Sequence, residues 1–441
     1  MLRALVIALA TCAPAVAQDF FTLKGHGGPI MDVAVAPNGT IGTASFDNAV
    51  GVWQGTTPKW LDGHRAAANA LAFYSNSLVV SGGDDFAVRL WSIDGGGVEL
   101  GAHQNKVTDL AVCRQGGNLI ASSSWDGLVR LWDMGPSASD VLVGVAQVAS
   151  VDLHGHTNGV NDVVFSDDCK TLYSAASDGT IRVWDVKSGQ ERQVLAKHGF
   201  GVNELILNDA EGWLAYGAVD GGTRIIDSAS GAVLADFTLG RRPILAMAFD
   251  PVGAQLAVGD GEGFIMMIDT ETRRISRDFK AAQRGPIWAL AFSRDGQNIH
   301  AGGIEDILYS WPVETLGAHA QMSTATRSFH EDPKTLPNGE RQFKRKCSVC
   351  HTLTEGSARK AGPSLYKLFG KRAGTVPDYA YSDTLTGSKI VWSAETINAL
   401  FDLGPDHYIP GSKMPMQRIV KRQDRDDLID YLRRNTAEKG E

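Results

Sequence analysis

Ser177-Asp178-Gly179-Thr180-Ile181-Arg182-Val183-Trp184-Asp185 reads as a tight turn running into a short strand. Asp178-Gly179 supplies the turn, because glycine reaches the left-handed region without steric cost and Asp bonds nearby backbone. From Thr180 to Trp184 polar and apolar residues alternate, as in a strand with one face covered. The unit recurs. Trp53, Trp91, Trp132, Trp184 and Trp311 each close such a run, and Ile226 and Ile268 hold the equivalent spot in two further units. The steps are 38, 41, 52, 42, 42 and 43 residues, the long one explained by an insertion between Met134 and Asp152. A period of about 40 residues is that of a four-stranded propeller blade.

Units also open on Gly-His or a variant of it, as at Gly25-His26, Gly63-His64 and Gly155-His156, and carry a turn Asp, as at Asp47, Asp126 and Asp178. Over roughly residues 20 to 316 the chain therefore resembles the WD-repeat family, which implies an all-β seven-bladed propeller. The family pattern implies a buried hydrogen-bond chain from His to the turn Asp to the Trp, so His26, His64, His103, His156 and His198 are expected to be structural. Asp220 has no Trp partner and the sixth unit has lost its His. Those blades are expected to be looser, or held by apolar packing. Two segments compete to close the ring: Phe20-Phe21-Thr22-Leu23 and Pro312-Val313-Glu314-Thr315-Leu316. The N-terminal strand is favoured, as the family usually closes this way, and it removes an exposed edge.

Residues 347 to 351 read Cys-Ser-Val-Cys-His. Two thiols and an imidazole at this spacing are what covalent haem attachment requires, with thioethers from Cys347 and Cys350 and with His351 on the iron. A zinc half-site or a thiol redox pair begins the same way, but no second cysteine pair follows to complete a zinc cage. Cys113 and Cys169 fall in corresponding turns of the third and fourth units. An oxidising compartment could join them, although such turns could also lie too far apart for a disulfide, and the sequence leaves this open.

Arg3, the apolar run Ala4 to Ala10 and Ala15-Val16-Ala17 read as a signal peptide cleaved before Gln18. The apolar run is too short for a bilayer span, and no other segment comes closer. Leu9-Ala10-Thr11-Cys12 is a poorer lipoprotein site, because Thr11 is bulky. Periplasmic location of a protein with no transmembrane segment is expected. The net charge of −8 is uneven: from Ser328 onward the chain carries +4, the remainder −12. An acidic propeller disfavours nucleic acid as a partner.

The C-terminal part shows Gly362-Pro363-Ser364-Leu365, Leu368-Phe369-Gly370, Tyr379-Ala380-Tyr381-Ser382, Trp392, and Tyr408-Ile409-Pro410-Gly411-Ser412-Lys413-Met414 in order. Residues 337 to 436 thereby resemble the class I cytochromes c of the mitochondrial and bacterial photosynthetic type. The resemblance implies that His351 is the proximal ligand, held by the Pro363 carbonyl, and that Met414 is the sixth ligand of one haem c. It also implies that Tyr381 and Trp392 bond a propionate. Met416 and His407 are rival ligands. Leu400 and Leu385 stand where the family has a Tyr and an Asn, so a drier distal side is expected, and Lys371 replaces an Arg, with Arg372 beside it. The division expected is a signal peptide at 1–17, a propeller at 18–316, a linker at 317–336 and a small all-α cytochrome c domain at 337–441.

With both axial positions filled, outer-sphere electron transfer is expected rather than catalysis. Lys344, Arg345, Lys346, Lys360 and Lys413 would ring the haem edge and steer an acidic redox partner. The propeller, showing no phosphate loop or nucleophile elbow, is read as a docking scaffold for a protein partner or for the basic module itself. The alternative is a redox enzyme or sensor in which the cytochrome serves a site in the propeller. Of the histidines outside the repeat positions and the haem motif, only His154 and His300 lie within the blades.

Overall fold

The unit around Trp184 folds as its alternation dictates. In the computed structural model, which describes residues 19–113, 118–144, 146–241, 243–250, 252–322, 336–379, 381–414 and 417–437, it is a four-stranded antiparallel sheet. Its strands are Val160–Phe165, Thr171–Ala176, Thr180–Asp185 and Gln190–Lys197, in that order. Gly179 takes the left-handed turn at φ 79°. Burial is greatest in the second strand, where every residue but Thr171 is buried, and least in the outer strand. Seven such sheets follow one another, numbered here as blades 1 to 7 from Ile30 onward. Phe21–Lys24 supplies the outer strand of blade 7, pairing antiparallel with Ile307–Pro312, so the N-terminal segment closes the ring.

The buried chain runs in a different order from the one expected. In blade 1 His26 sits in the middle, with Nδ1 2.9 Å from Asp47 and Nε2 2.7 Å from the Thr43 hydroxyl, to which Trp53 donates at 2.8 Å. Ser81, Ser122 and Ser174 take the place of Thr43 in blades 2 to 4. A hydroxyl can accept from an indole while serving an imidazole, which Asp and Trp cannot do directly. In blade 5 the chain is rebuilt: His198 meets Asp220 at 2.8 Å and the Tyr216 hydroxyl at 3.2 Å. Blade 6 is held by apolar packing of Leu256, Met266 and Ile268. Arg241 there pairs with Asp260 and Asp278.

Every innermost strand carries a bulge after its first residue, as between Ile30 and Asp32 or Val160 and Asp162. The next position holds Asp32, Asp109, Asp162 or Glu204 in four blades and alanine in the others. These carboxylates accept backbone N–H groups from the following blade, Leu71 to Asp32 at 2.8 Å and Val163 to Asp109 at 3.1 Å. They tie neighbouring blades together around the axis.

The insertion lies within blade 3, between its third strand (Val129–Asp133) and its outer strand (Ala149–Leu153), and folds as helix α1 (Ala138–Leu142), capped by Ser137. Cys113 and Cys169 are joined, at 5.6 Å between α carbons, and bridge blades 3 and 4. Beyond residue 316, the boundary expected for the propeller, the chain still touches the blades. Trp311 donates to the Ala320 carbonyl at 3.0 Å and Met322 is buried in the core of blades 6 and 7, because the indole there needs an acceptor that no blade residue supplies. The signal-peptide reading and His330 fall outside the described residues.

The C-terminal module is a small helical fold of α2 (Asn338–Lys346), α3 (Asp383–Thr386), α4 (Ala394–Leu403), α5 (Pro405–Tyr408) and α6 (Arg422–Thr436). Helix α2 crosses α6 at Gly339, where an added Cβ would stand 2.1 Å from the Asp427 carbonyl. Phe343 packs on Tyr431 at 5.5 Å, and Leu428, Ile429 and Leu432 are buried beneath. Among the described residues no helix is long and apolar enough to cross a membrane.

Candidate functional site

Helix α2 ends at Cys347, whose carbonyl accepts the amides of Cys350 at 3.0 Å and His351 at 2.8 Å. This tight coil brings both sulfurs and the imidazole to one wall of a single cavity of about 520 Å³. That volume is in the range of cofactor sites. His351 Nδ1 lies 2.7 Å from the Pro363 carbonyl, so a proton there leaves Nε2 as the atom able to bind a metal. Gly362 permits the approach, since a Cβ would stand 2.5 Å from the imidazole. Burial lowers the His351 pKa, and neutral imidazole is the form that ligates.

Met414 lines the cavity with Leu385, Leu400, Phe401 and Ile409, an apolar wall on the side where the two leucines were expected. His407 is on the surface with its side chain 71% exposed and does not line the cavity; Met416 lies outside the described residues. Tyr381 and Trp392 line the cavity, as do Lys371 and Arg372, whose side chains donate to the Tyr366 and Ser388 carbonyls.

The residues fit a haem. Burial pushes the thiols of Cys347 and Cys350 up to about 12 and about 11, the opposite of the lowered value that marks a reactive dithiol pair. Among the described residues no cluster of three or more His, Cys, Asp or Glu could hold a bare metal ion. Ser382, Ser412 and Gln417 line the same cavity with side-chain oxygens that are buried and lack a hydrogen-bond partner. Buried polar atoms left this way are expensive unless a ligand completes them. A group with carboxylate oxygens would satisfy the two hydroxyls, and the sequence motifs had not singled them out in that role.

The five basic residues do not form one exposed ring. Lys344 is buried and pairs with Glu340 at 2.9 Å, because its face of α2 turns into the fold. Arg345 is exposed, and Lys346 and Lys413 line the cavity. Lys360 reaches toward the propeller, its ammonium 3.4 Å from the Gly27 carbonyl. His154 is exposed and His300 is buried against Ser310, so they do not meet at a second site.

The profile of the WD domain, G-beta repeat, matches residues 18–54, 55–92, 98–133 and 147–185. These are the units that keep both His and Trp. The cytochrome c profile matches residues 336–436. Cytochrome c of Sesamum indicum is 42% identical over 113 residues, covering 25% of this chain and 99% of that protein. Cytochrome c of Theileria parva is 45% identical over 95 residues, 22% of this chain and 81% of that protein. The WD40 beta propeller domain of Doa1 superposes with a TM-score of 0.58 at 20% identity, over 67% of this chain and 96% of that one, and is similar in fold alone. A cytochrome c domain implies haem c and electron transfer, and a WD propeller implies a scaffold for protein interaction. Through its C-terminal hundred residues the chain belongs to the cytochrome c family, fused behind a seven-bladed WD-repeat propeller.

Proposed function

We propose that this protein is an exported, periplasmic electron carrier whose single haem is attached through Cys347 and Cys350 and held between His351 and Met414. The observation that carries the reading is the convergence of both cysteines, the oriented imidazole and the Met414 thioether on one cavity. Haem iron bound by a nitrogen and a thioether has no open position for substrate, so the chemistry supplied is one-electron exchange, and a thioether raises the potential. The chain's own contribution is orientation: Pro363 fixes the ring of His351, Gly362 gives it room, and the leucine-rich wall keeps water from the Met414 side. The disulfide between Cys113 and Cys169 supports an oxidising compartment, as does the leader-like start of the chain.

A pyridine haemochrome assay against total iron tests the reading. One thioether-linked haem and one iron per chain are expected; a second chromophore, extra iron or none would reject it. Met414→Ala should abolish the sulfur-to-iron charge-transfer band, whereas a change at Met416 should leave it.

A further inference from the structure

The cavity of the cytochrome module does not end on that module. Phe46, Arg65, Phe86, Lys106 and Trp125, all on loops at one end of blades 1 to 3, line the same space. The two parts touch beside it: Arg359 forms an ion pair with Asp62 and lies over the Trp60 ring at 4.3 Å.

Two comparisons among the blades set this end of the propeller apart. The residue after the repeat His donates its N–H to the turn Asp in each of blades 1 to 4, from Gly27, Arg65, Gln104 and Thr157. The backbone task is the same in these four, and Gly27 is not in the left-handed region, yet among them blade 1 alone lacks a side chain there. The reason is contact: a Cβ on Gly27 would stand 2.3 Å from the Ala358 carbonyl oxygen and 2.4 Å from the Arg359 backbone. Phe86 is the opposite case. The left-handed turn position is Asn48 in blade 1 and Gly127, Gly179, Gly221 and Gly263 in blades 3 to 6. In blade 2 it is Phe86, at φ 71°, a strained place for a bulky residue. Phe86 and Trp125 are left 40% and 49% exposed while facing the cavity mouth.

We propose that blades 1 to 3 are a dock for the chain's own cytochrome module, and that the dock shields the haem edge. Gly27 is the seat, Asp62 and Trp60 hold Arg359, and Phe86 and Trp125 cover the opening. A redox partner then reaches the edge only when the module lifts or through the seam between the two parts. This deepens the electron-carrier reading, naming the propeller's partner, and rests on it for the identity of what is shielded.

The test uses the full-length haem-loaded protein and three single variants. Gly27→Arg places in blade 1 the residue that blade 2 carries, so the propeller should accept it while the module cannot stay seated. Asp62→Lys reverses a surface charge, and Phe86→Gly relieves the turn. Hydrogen exchange of residues 25–28 and 357–361 reads the dock. The rate at which photoreduced flavin mononucleotide gives one electron to the ferric haem reads the shielding. Gly27→Arg and Asp62→Lys should raise exchange in both segments several-fold and speed reduction several-fold, with the visible spectrum unchanged. Phe86→Gly should speed reduction with exchange unaltered. Unchanged exchange in both dock variants would overturn the dock; faster exchange without faster reduction would overturn the shield. The exchange readout does not depend on the iron, so its failure is separable from failure of the haemochrome assay.

Discussion

Gly362 shows how narrow the tolerance is at the iron-binding residue. Ala at this position would drive a methyl into the imidazole of His351, and the ring must move to clear it. Gly362→Ala should therefore weaken axial ligation, seen as a growing high-spin component in the visible spectrum, with little change in far-ultraviolet circular dichroism. The serines are a finer probe. If the hydroxyls of Ser382 and Ser412 bond haem carboxylates, each Ser→Ala change should lower the stability of the loaded protein by about 1.5–3 kcal/mol, the worth of a hydrogen bond to a charged group. Apoprotein stability should not fall. Cys347, Cys350, His351 and Met414 were legible because their chemistry demands a spacing or a motif. Ser382 and Ser412 sat inside the motifs unread, since a loop serine looks alike whether it meets water or a cavity. Only the missing partner inside the fold distinguishes them. Lys344 failed for a related reason: charge in a sequence says nothing about which side of a helix turn it occupies.

Blades were readable because strand alternation and the recurring Trp are local, while the hydroxyl linking Trp to His comes from another strand of the same sheet. Removing it is costly. Ser174→Ala leaves the Trp184 indole N–H and a ring nitrogen of His156 without partners in a buried setting, which should cost on the order of 2–4 kcal/mol in denaturant unfolding. The inner-strand carboxylates predict a pH effect. Burial pushes Asp32 up to about 7, with nearby Asp109 adding to it and the Leu71 amide opposing. Since this folded-state value lies above the unfolded value of 3.8, the native state holds the proton more tightly between them, and stability falls as pH rises from about 4 to about 7. Asp32 keeps partial exposure toward the axis, so water there reduces the penalty. Asp32→Asn should be more stable than the parent at pH 7 by on the order of 1–3 kcal/mol, and the advantage should vanish near pH 4. A constant difference across that range would refute the assignment. None of this was visible beforehand, because the bulge that aims these residues inward is a property of strand pairing.

The two parts of the molecule carry opposite charge, −12 before Ser328 and +4 after it. Their contact includes one ion pair in which Asp62 is 64% exposed, worth no more than about 1 kcal/mol. Moderate salt should thus loosen the dock, and the radius of gyration from small-angle scattering should rise between low and high ionic strength; a constant radius would mean apolar contact dominates. Charge asymmetry was legible from composition. The face it presses together was not, because it depends on where a linker lets one part swing onto the other.

Closure by Phe21–Lys24 has a consequence for biogenesis. The strand that leaves the ribosome first cannot pair until Ile307–Pro312 has been made, so it must wait unpaired through six blades of synthesis. The seat on blades 1 to 3 is complete long before the haem module exists. During synthesis, the newborn chain thus carries an open ring with a loose leading end. Proteases and chaperones meet that intermediate rather than the finished toroid, and delayed haem delivery would leave a sound propeller trailing an unfinished tail.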